Sequence, residues 1–202
     1  DCPATPDPLT TRKAPTVGAC TETLKTVSTG TLTLSPGVYC GGLKISGSAV
    51  VDLKPGIYVM KDGALEVTGK GVLRGKYVGF YFTGDAAIFD FTENATVEIG
   101  APKDGAMAGL LFFEDRAGKA GKQYKISSTD TNTLLGTIYL PIGKLRVDSP
   151  EKVADKSEYT ALVVNTLEMS GAELVINANY EQSDVPVPTG LGNTTMAAKI
   201  YV

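Results

Sequence analysis

The chain has 202 residues, enough for one sizeable core, and no shift in composition marks a second domain. Its 19 basic and 22 acidic residues leave a net charge of −3, so the basic excess that a nucleic-acid groove or an anionic membrane surface requires is missing. No apolar run approaches the ~20 residues of a membrane span, and without histidine the commonest general base and metal ligand is lacking.

Asp1 opens the sequence without an initiator Met or a signal peptide, which predicts a mature form or an ectodomain of a longer protein. Residues 1–16 carry Pro3, Pro6, Pro8 and Pro15 and read as an irregular arm. Beyond it, period-two alternation recurs in segments of three to six residues, many bounded by one of the 23 glycines, and this is the mark of short strands.

The stretch from Leu34 to Met60 states one strand twice: Pro36-Gly37-Val38-Tyr39 returns as Pro55-Gly56-Ile57-Tyr58. Further copies are Gly79-Phe80-Tyr81-Phe82, Leu111-Phe112-Phe113, Ile138-Tyr139-Leu140 and Leu162-Val163-Val164. A second strand follows each: Leu43-Lys44-Ile45, Leu65-Glu66-Val67, Phe89-Asp90-Phe91, Tyr124-Lys125-Ile126, Leu145-Arg146-Val147 and Leu167-Glu168-Met169. A third recurs as Val51-Asp52-Leu53, Val72-Leu73-Arg74, Val97-Glu98-Ile99, Thr133-Leu134-Leu135 and Leu174-Val175-Ile176. The fifth turn shows no third strand between Asp148 and Thr160.

Three short strands per turn of about twenty or more residues predict an all-β, parallel β-helix (solenoid) of six to seven coils. Residues 1–30 would form the covering arm and a capping coil, and residues 31–202 the solenoid, with Ala198 to Val202 capping the far end. One rung cannot bury its inner face alone, so it must be rewritten and stacked. A sandwich or up-and-down barrel is the alternative; the turn dipeptide Asp62-Gly63 suits it, but the three-strand cycle does not. A right-handed coil follows from the usual crossover rule. Insertions fall at corners, in residues 101–105, 115–122 and 148–159, where connectors and, less often, binding loops occur.

Sliding the template one turn upstream sets Cys20 on Cys40, at one inward position of adjacent rungs. Rungs ~4.8 Å apart suit the Cα separation of a disulfide, so a Cys20–Cys40 bridge is predicted, against two buried free thiols. Cys2 is left over, for a partner upstream or in another molecule.

The same alignment makes Tyr39, Tyr58, Tyr81, Phe112 and Tyr139 a single outward stripe. It reads either as a platform for sugar rings or a partner protein, or as a seam covered by the arm. The outward second-strand ladder of Lys44, Glu66, Asp90, Lys125, Arg146 and Glu168 mixes signs and reads as a solvated face, with Lys44/Glu66 and Arg146/Glu168 as opposite-charge neighbours. Glu114, Asp115 and Arg116 form the densest acid–base group and are the candidate loop site. No neighbouring rung repeats them, and neither a catalytic set, a metal site nor a cofactor motif is predicted.

With these residues laid out, the chain resembles the C-terminal extracytoplasmic part of TadG-type proteins of the tight-adherence (Tad/Flp) pilus systems of bacteria. The resemblance rests on Pro15-Thr16-Val17-Gly18-Ala19-Cys20, on the Pro36-Gly37-Val38-Tyr39-Cys40-Gly41-Gly42 block, and on the run from Gly109 to Arg116. It continues in Gly136-Thr137-Ile138-Tyr139-Leu140-Pro141, in Tyr159 to Val164 and in Asp184-Val185-Pro186-Val187-Pro188. It implies a membrane anchor upstream, a domain in the periplasm or at the cell surface, and a non-enzymatic role in pilus assembly or adhesion. Pilus or envelope proteins, or surface glycans, are the expected partners; no nucleic acid is expected. A carbohydrate-binding module using the aromatic stripe is the first alternative, and a polysaccharide-degrading β-helix enzyme the second.

Overall fold

A computed structural model describes residues 6–191. Cys2 and the expected Ala198–Val202 cap lie outside the described residues. The chain is a parallel β-solenoid of about seven turns. The first coil is β1 (Glu22–Val27) and β2 (Thr31–Leu34), the second β3 (Gly37–Ile45) and β4 (Val50–Leu53). The third is β5 (Gly56–Lys61), β6 (Leu65–Val67) and β7 (Val72–Gly75); the fourth is β8 (Val78–Thr83), β9 (Phe89–Phe91) and β10 (Thr96–Gly100). Then come β11 (Leu110–Glu114), β12 (Gln123–Ile126) and β13 (Asp130–Val147), whose 18 residues turn two corners. The last strands are β14 (Lys152–Val153), β15 (Thr160–Met169) and β16 (Glu173–Leu174). β14, paired with β16, is the third strand that the sequence did not reveal in the fifth turn of the repeat.

Three faces result. The first stacks the leading parts of β1 and β3, then β5, β8, β11, the middle of β13 and the start of β15. The second stacks the trailing parts of β1 and β3, then β6, β9, β12, the end of β13 and the end of β15. The third runs from β2 through β4, β7 and β10 to the start of β13. On the second face every predicted triplet pairs as aligned from sequence, from Leu43↔Leu65 to Val147↔Met169. On the third face two triplets stand one residue off. Val51 and Val97 both pair with Leu73, so Leu73 points in and Arg74 points out; Leu134 likewise turns inward.

The interior is a column of stacked side chains. Tyr39, Tyr58, Phe80 and Phe112 lie ring over ring at 5.8, 5.5 and 5.9 Å, and Phe82, Phe89, Phe91 and Tyr124 complete the column. Such rings bury large area at the spacing that aromatic pairs favour. The buried hydroxyls are satisfied at corners: Tyr58 donates to Lys54 O at 2.8 Å and Tyr39 to Ser35 O at 2.8 Å. The Gly41-Gly42 corner packs on Gly63 backbone to backbone; a Cβ on Gly63 would lie 2.0 Å from Gly41 carbon. Only hydrogen at Cα permits that contact.

The cysteines do form a disulfide, with Cα atoms 5.7 Å apart. They do not share an inward position, however. Cys40 pairs with Thr23, while Cys20 precedes β1 and is exposed, so the bridge sits outside the wall and ties the end of the arm to the second coil. Within the described part of the arm, residues 7–12 run along the outer surface of the first face, with Leu9 buried there.

Candidate functional site

The predicted stripe divides into two ladders. Aligning the tyrosines assumed steps of 19 and 23 residues, but the pairs are Val38↔Val59 and Tyr58↔Phe80, steps of 21 and 22. A slip of one residue turns a side chain to the opposite face. Tyr39, Tyr58 and Phe112 therefore point into the core, while Tyr81 and Tyr139, joined by Phe113, point out. The outward set is buried as well, with Tyr81 at 3% and Tyr139 at 0% exposure, so it offers no open platform.

The arm covers it, as the second reading of the stripe required. Leu9 joins Val38, Val59, Tyr81, Met107, Leu110, Phe113 and Tyr139 in one buried cluster. Tyr139 donates to Asp7 at 2.6 Å. Arg116 donates from Nε to the Tyr139 hydroxyl and from Nη2 to the carbonyls of Leu9 (2.6 Å) and Arg12 (2.9 Å). Arg12 in turn holds the carbonyls of Ala106 and Ala108 in the 101–105 corner's continuation. Burial, reinforced by Asp7, pushes the Tyr139 hydroxyl up to about 12.

Glu114, Asp115 and Arg116 are adjacent in sequence but diverge in space. Arg116 is the clasp just described. Asp115 faces Thr83, accepting from its hydroxyl at 2.8 Å and from Ala117 N–H; burial works to raise its carboxyl, but these hydrogen bonds hold it below the ordinary value. Glu114 points into the solenoid and is fully buried. It accepts from Ile142 N–H at 3.1 Å and from the Tyr124 hydroxyl at 3.2 Å, and lies 3.9 Å from the buried Lys122 ammonium, which donates to Gly84 O and Ala87 O. Burial pushes the Glu114 carboxyl up, and burial pushes the Lys122 ammonium down. Gly143 leaves room for this carboxylate, since a Cβ there would meet it at 2.8 Å. The three residues thus brace the fold and form no cluster at a surface.

The open concavity lies elsewhere, on the third face, and has a volume of about 680 Å³, the size range of ligand pockets. Its floor is the outward ladder Asp52, Arg74, Glu98 and Thr133, one residue per rung. Arg74 meets Glu98 at 3.2 Å. One wall is the corner Lys76-Tyr77 with Asp184 of the C-terminal segment; the far end holds Lys156 and Glu158. Tyr77 donates to Asp184 at 2.8 Å, and Lys103 both pairs with that carboxylate and sits 4.3 Å over the Tyr77 ring. Lys103 and Tyr77 hold the Asp184 carboxyl below its ordinary value. Tyr77 has φ 61°, a left-handed backbone that a bulky residue rarely adopts.

Among the described residues, Asp52, Lys76, Lys156 and Glu158 make no ion pair and no side-chain hydrogen bond, although all line this groove. The one-residue slip in β7 hid Arg74 as an outward position, and Lys76, Tyr77, Lys156 and Glu158 stand in corners outside the strand pattern. The pattern Asp-x-x-x at Asp52 and Glu-x-x at Glu98 carried no signal by itself. The described residues hold no cluster of metal ligands, and no described helix is long and apolar enough to cross a membrane.

No protein-family model, curated protein or solved structure matches the chain.

Proposed function

We propose that this chain is a non-enzymatic structural and binding ectodomain, held outside the cytoplasm by an anchor upstream, that assists assembly or surface attachment of a Tad-type pilus. The observation carrying the reading is the Cys20–Cys40 disulfide on a continuous seven-coil stack, a rigid spacer stapled where the covering arm joins the body. Disulfides persist in oxidising compartments outside the cytoplasm. The resemblance of the Pro36 to Gly42 block and of Gly109 to Arg116 to TadG-type proteins supports the pilus setting. Pilus or envelope proteins are then the partners.

Two measurements test it. Trapping thiols by alkylation in intact cells should find Cys20 and Cys40 oxidised; a reduced pair would remove the extracytoplasmic placement. Deleting the segment from its parent protein should lower the number of surface pili or adherent cells without loss of growth, and unchanged piliation and adherence would sink the pilus role. The glycan-binding alternative is favoured by a different surface from the one predicted: the third-face groove and its unpaired charges.

A further inference from the structure

We infer that the third-face groove is a binding site for an uncharged, hydroxyl-rich glycan lying along the solenoid axis. The inference rests on the groove and does not need the pilus reading.

The floor presents one polar side chain per rung, in the order Asp52, Arg74, Glu98, Thr133. Rungs follow one another at about 4.8 Å, close to the length of one pyranose ring in an extended chain, so consecutive sugars meet consecutive rungs. Both signs alternate along this floor, and both recur at its margins in Lys76, Lys156, Glu158 and Asp184. A polyanion would meet carboxylates at Asp52, Glu98 and Glu158, and a polycation would meet Arg74, Lys76 and Lys156; like charges brought together in a binding groove oppose association. A hydroxyl is both donor and acceptor, so a neutral sugar satisfies carboxylates and cations alike.

An extended peptide fits less well. Strands β4, β7 and β10 are paired on both sides, so the groove floor offers no free backbone edge for strand addition. Four charges that have no partner among the described residues are the groups that a ligand would engage: Asp52 on the floor, Lys76 on the wall, Lys156 and Glu158 at the end. Tyr77, its hydroxyl bound to Asp184 and its ring beneath the Lys103 ammonium, forms the wall against which a ring would rest.

The test is titration calorimetry of the chain with hexasaccharides of β-linked glucose, α-linked glucose and N-acetylglucosamine, beside an acidic hexauronate and a mixed-charge peptide of equal length. The expected result is saturable binding of at least one neutral oligosaccharide, and at least tenfold weaker binding in Asp52→Ala and in Lys156→Ala. Both are surface changes that leave the thermal midpoint in place. Tyr81→Phe, under the arm, should bind as the parent does. Absence of binding to every neutral oligosaccharide at millimolar concentration overturns the inference. Binding of the hexauronate or the peptide in preference to them overturns it too, as does neutral binding that neither groove variant weakens. Loss of glycan binding with piliation intact, or the reverse, separates this site from the pilus role.

Discussion

The outer surfaces of the first and second faces are built on the same stack of rungs and solve opposite problems. On the first face the outward ladder is apolar, Val38, Val59, Tyr81, Phe113, Tyr139, and the chain lays Leu9 and its neighbours over it. On the second it is Lys44, Glu66, Asp90, Lys125, Arg146, Glu168, and it stands bare with ion pairs such as Lys44–Glu66 at 2.8 Å. An apolar outward ladder needs a cover, because a contiguous exposed patch of that size is sticky; a ladder of mixed charge needs none, because its side chains pair with one another and reach water. Outward orientation alone therefore does not identify a binding surface. The third face shows a further case, a polar ladder walled in by other parts of the chain and left with unpaired charges.

Changes in the shared interior should dominate any change on either outer surface. Phe112→Ala removes a ring that touches Phe80, Phe82 and Phe89, and should cost about 3–5 kcal/mol in denaturant unfolding; a loss below 1 kcal/mol would mean that the column is not the core. Glu114→Ala strands a buried ammonium and should cost a similar ~3–5 kcal/mol.

The Glu114 contribution also depends on pH. Its carboxyl titrates above the ordinary value in the fold, so between the unfolded and folded values the native state holds the extra proton and stability falls as pH rises. Comparing Glu114→Gln with the parent across that window should show the parent losing ground with rising pH; a parent that gains would reverse the sign assigned here.

Reduction of Cys20–Cys40, which closes a separation of 20 residues, should cost about 3 kcal/mol, read as a drop in thermal midpoint on adding reductant. Leu9→Ala tests the cover. It should lower stability by about 2 kcal/mol, the low end for a buried leucine, and open Tyr139 and Tyr81 to chemical modification while Tyr58 stays protected. Labelling of all three together would mean global unfolding instead of arm release. Lys44→Ala on the bare face should change stability by less than about 1 kcal/mol, and a larger effect would show that this ladder is more than a solvated surface.

Much of the fold was legible in the second-strand triplets. Each is apolar–polar–apolar with an outward charge, so parity is marked on both sides and all the registers agree with the pairing. The first strands are apolar on both faces, and in a run such as Gly79-Phe80-Tyr81-Phe82 nothing local says which aromatic turns inward. The tyrosine alignment thus crossed from one ladder to the other between Tyr58 and Tyr81. Of the expected charge neighbours, Lys44 and Glu66 pair at 2.8 Å, whereas Arg146 and Glu168 share a register position without an ion pair between them. Glu168 pairs with Lys144 at 2.7 Å, reaching diagonally to the neighbouring rung, and Arg146 pairs with Asp148 at 3.2 Å, two residues along its own chain. Nor did sequence separate Glu114 from Asp115 and Arg116; alternation along β11 sends the first inward, where Tyr124 and Lys122 of its own coil and Ile142 N–H of the next rung meet it.

By itself the sequence determined the repeating unit, the parallel stack, the disulfide partners and the polar second face, since each is written in local periodicity and spacing. The tertiary structure decided which aromatic ladder is core and which is seam, where the arm lies, and that the C-terminal segment closes a groove over Asp52, Arg74 and Glu98. These depend on contacts between residues some 100 positions apart, as between Arg116 and Leu9 or Tyr77 and Asp184, and no local pattern encodes a contact at that distance.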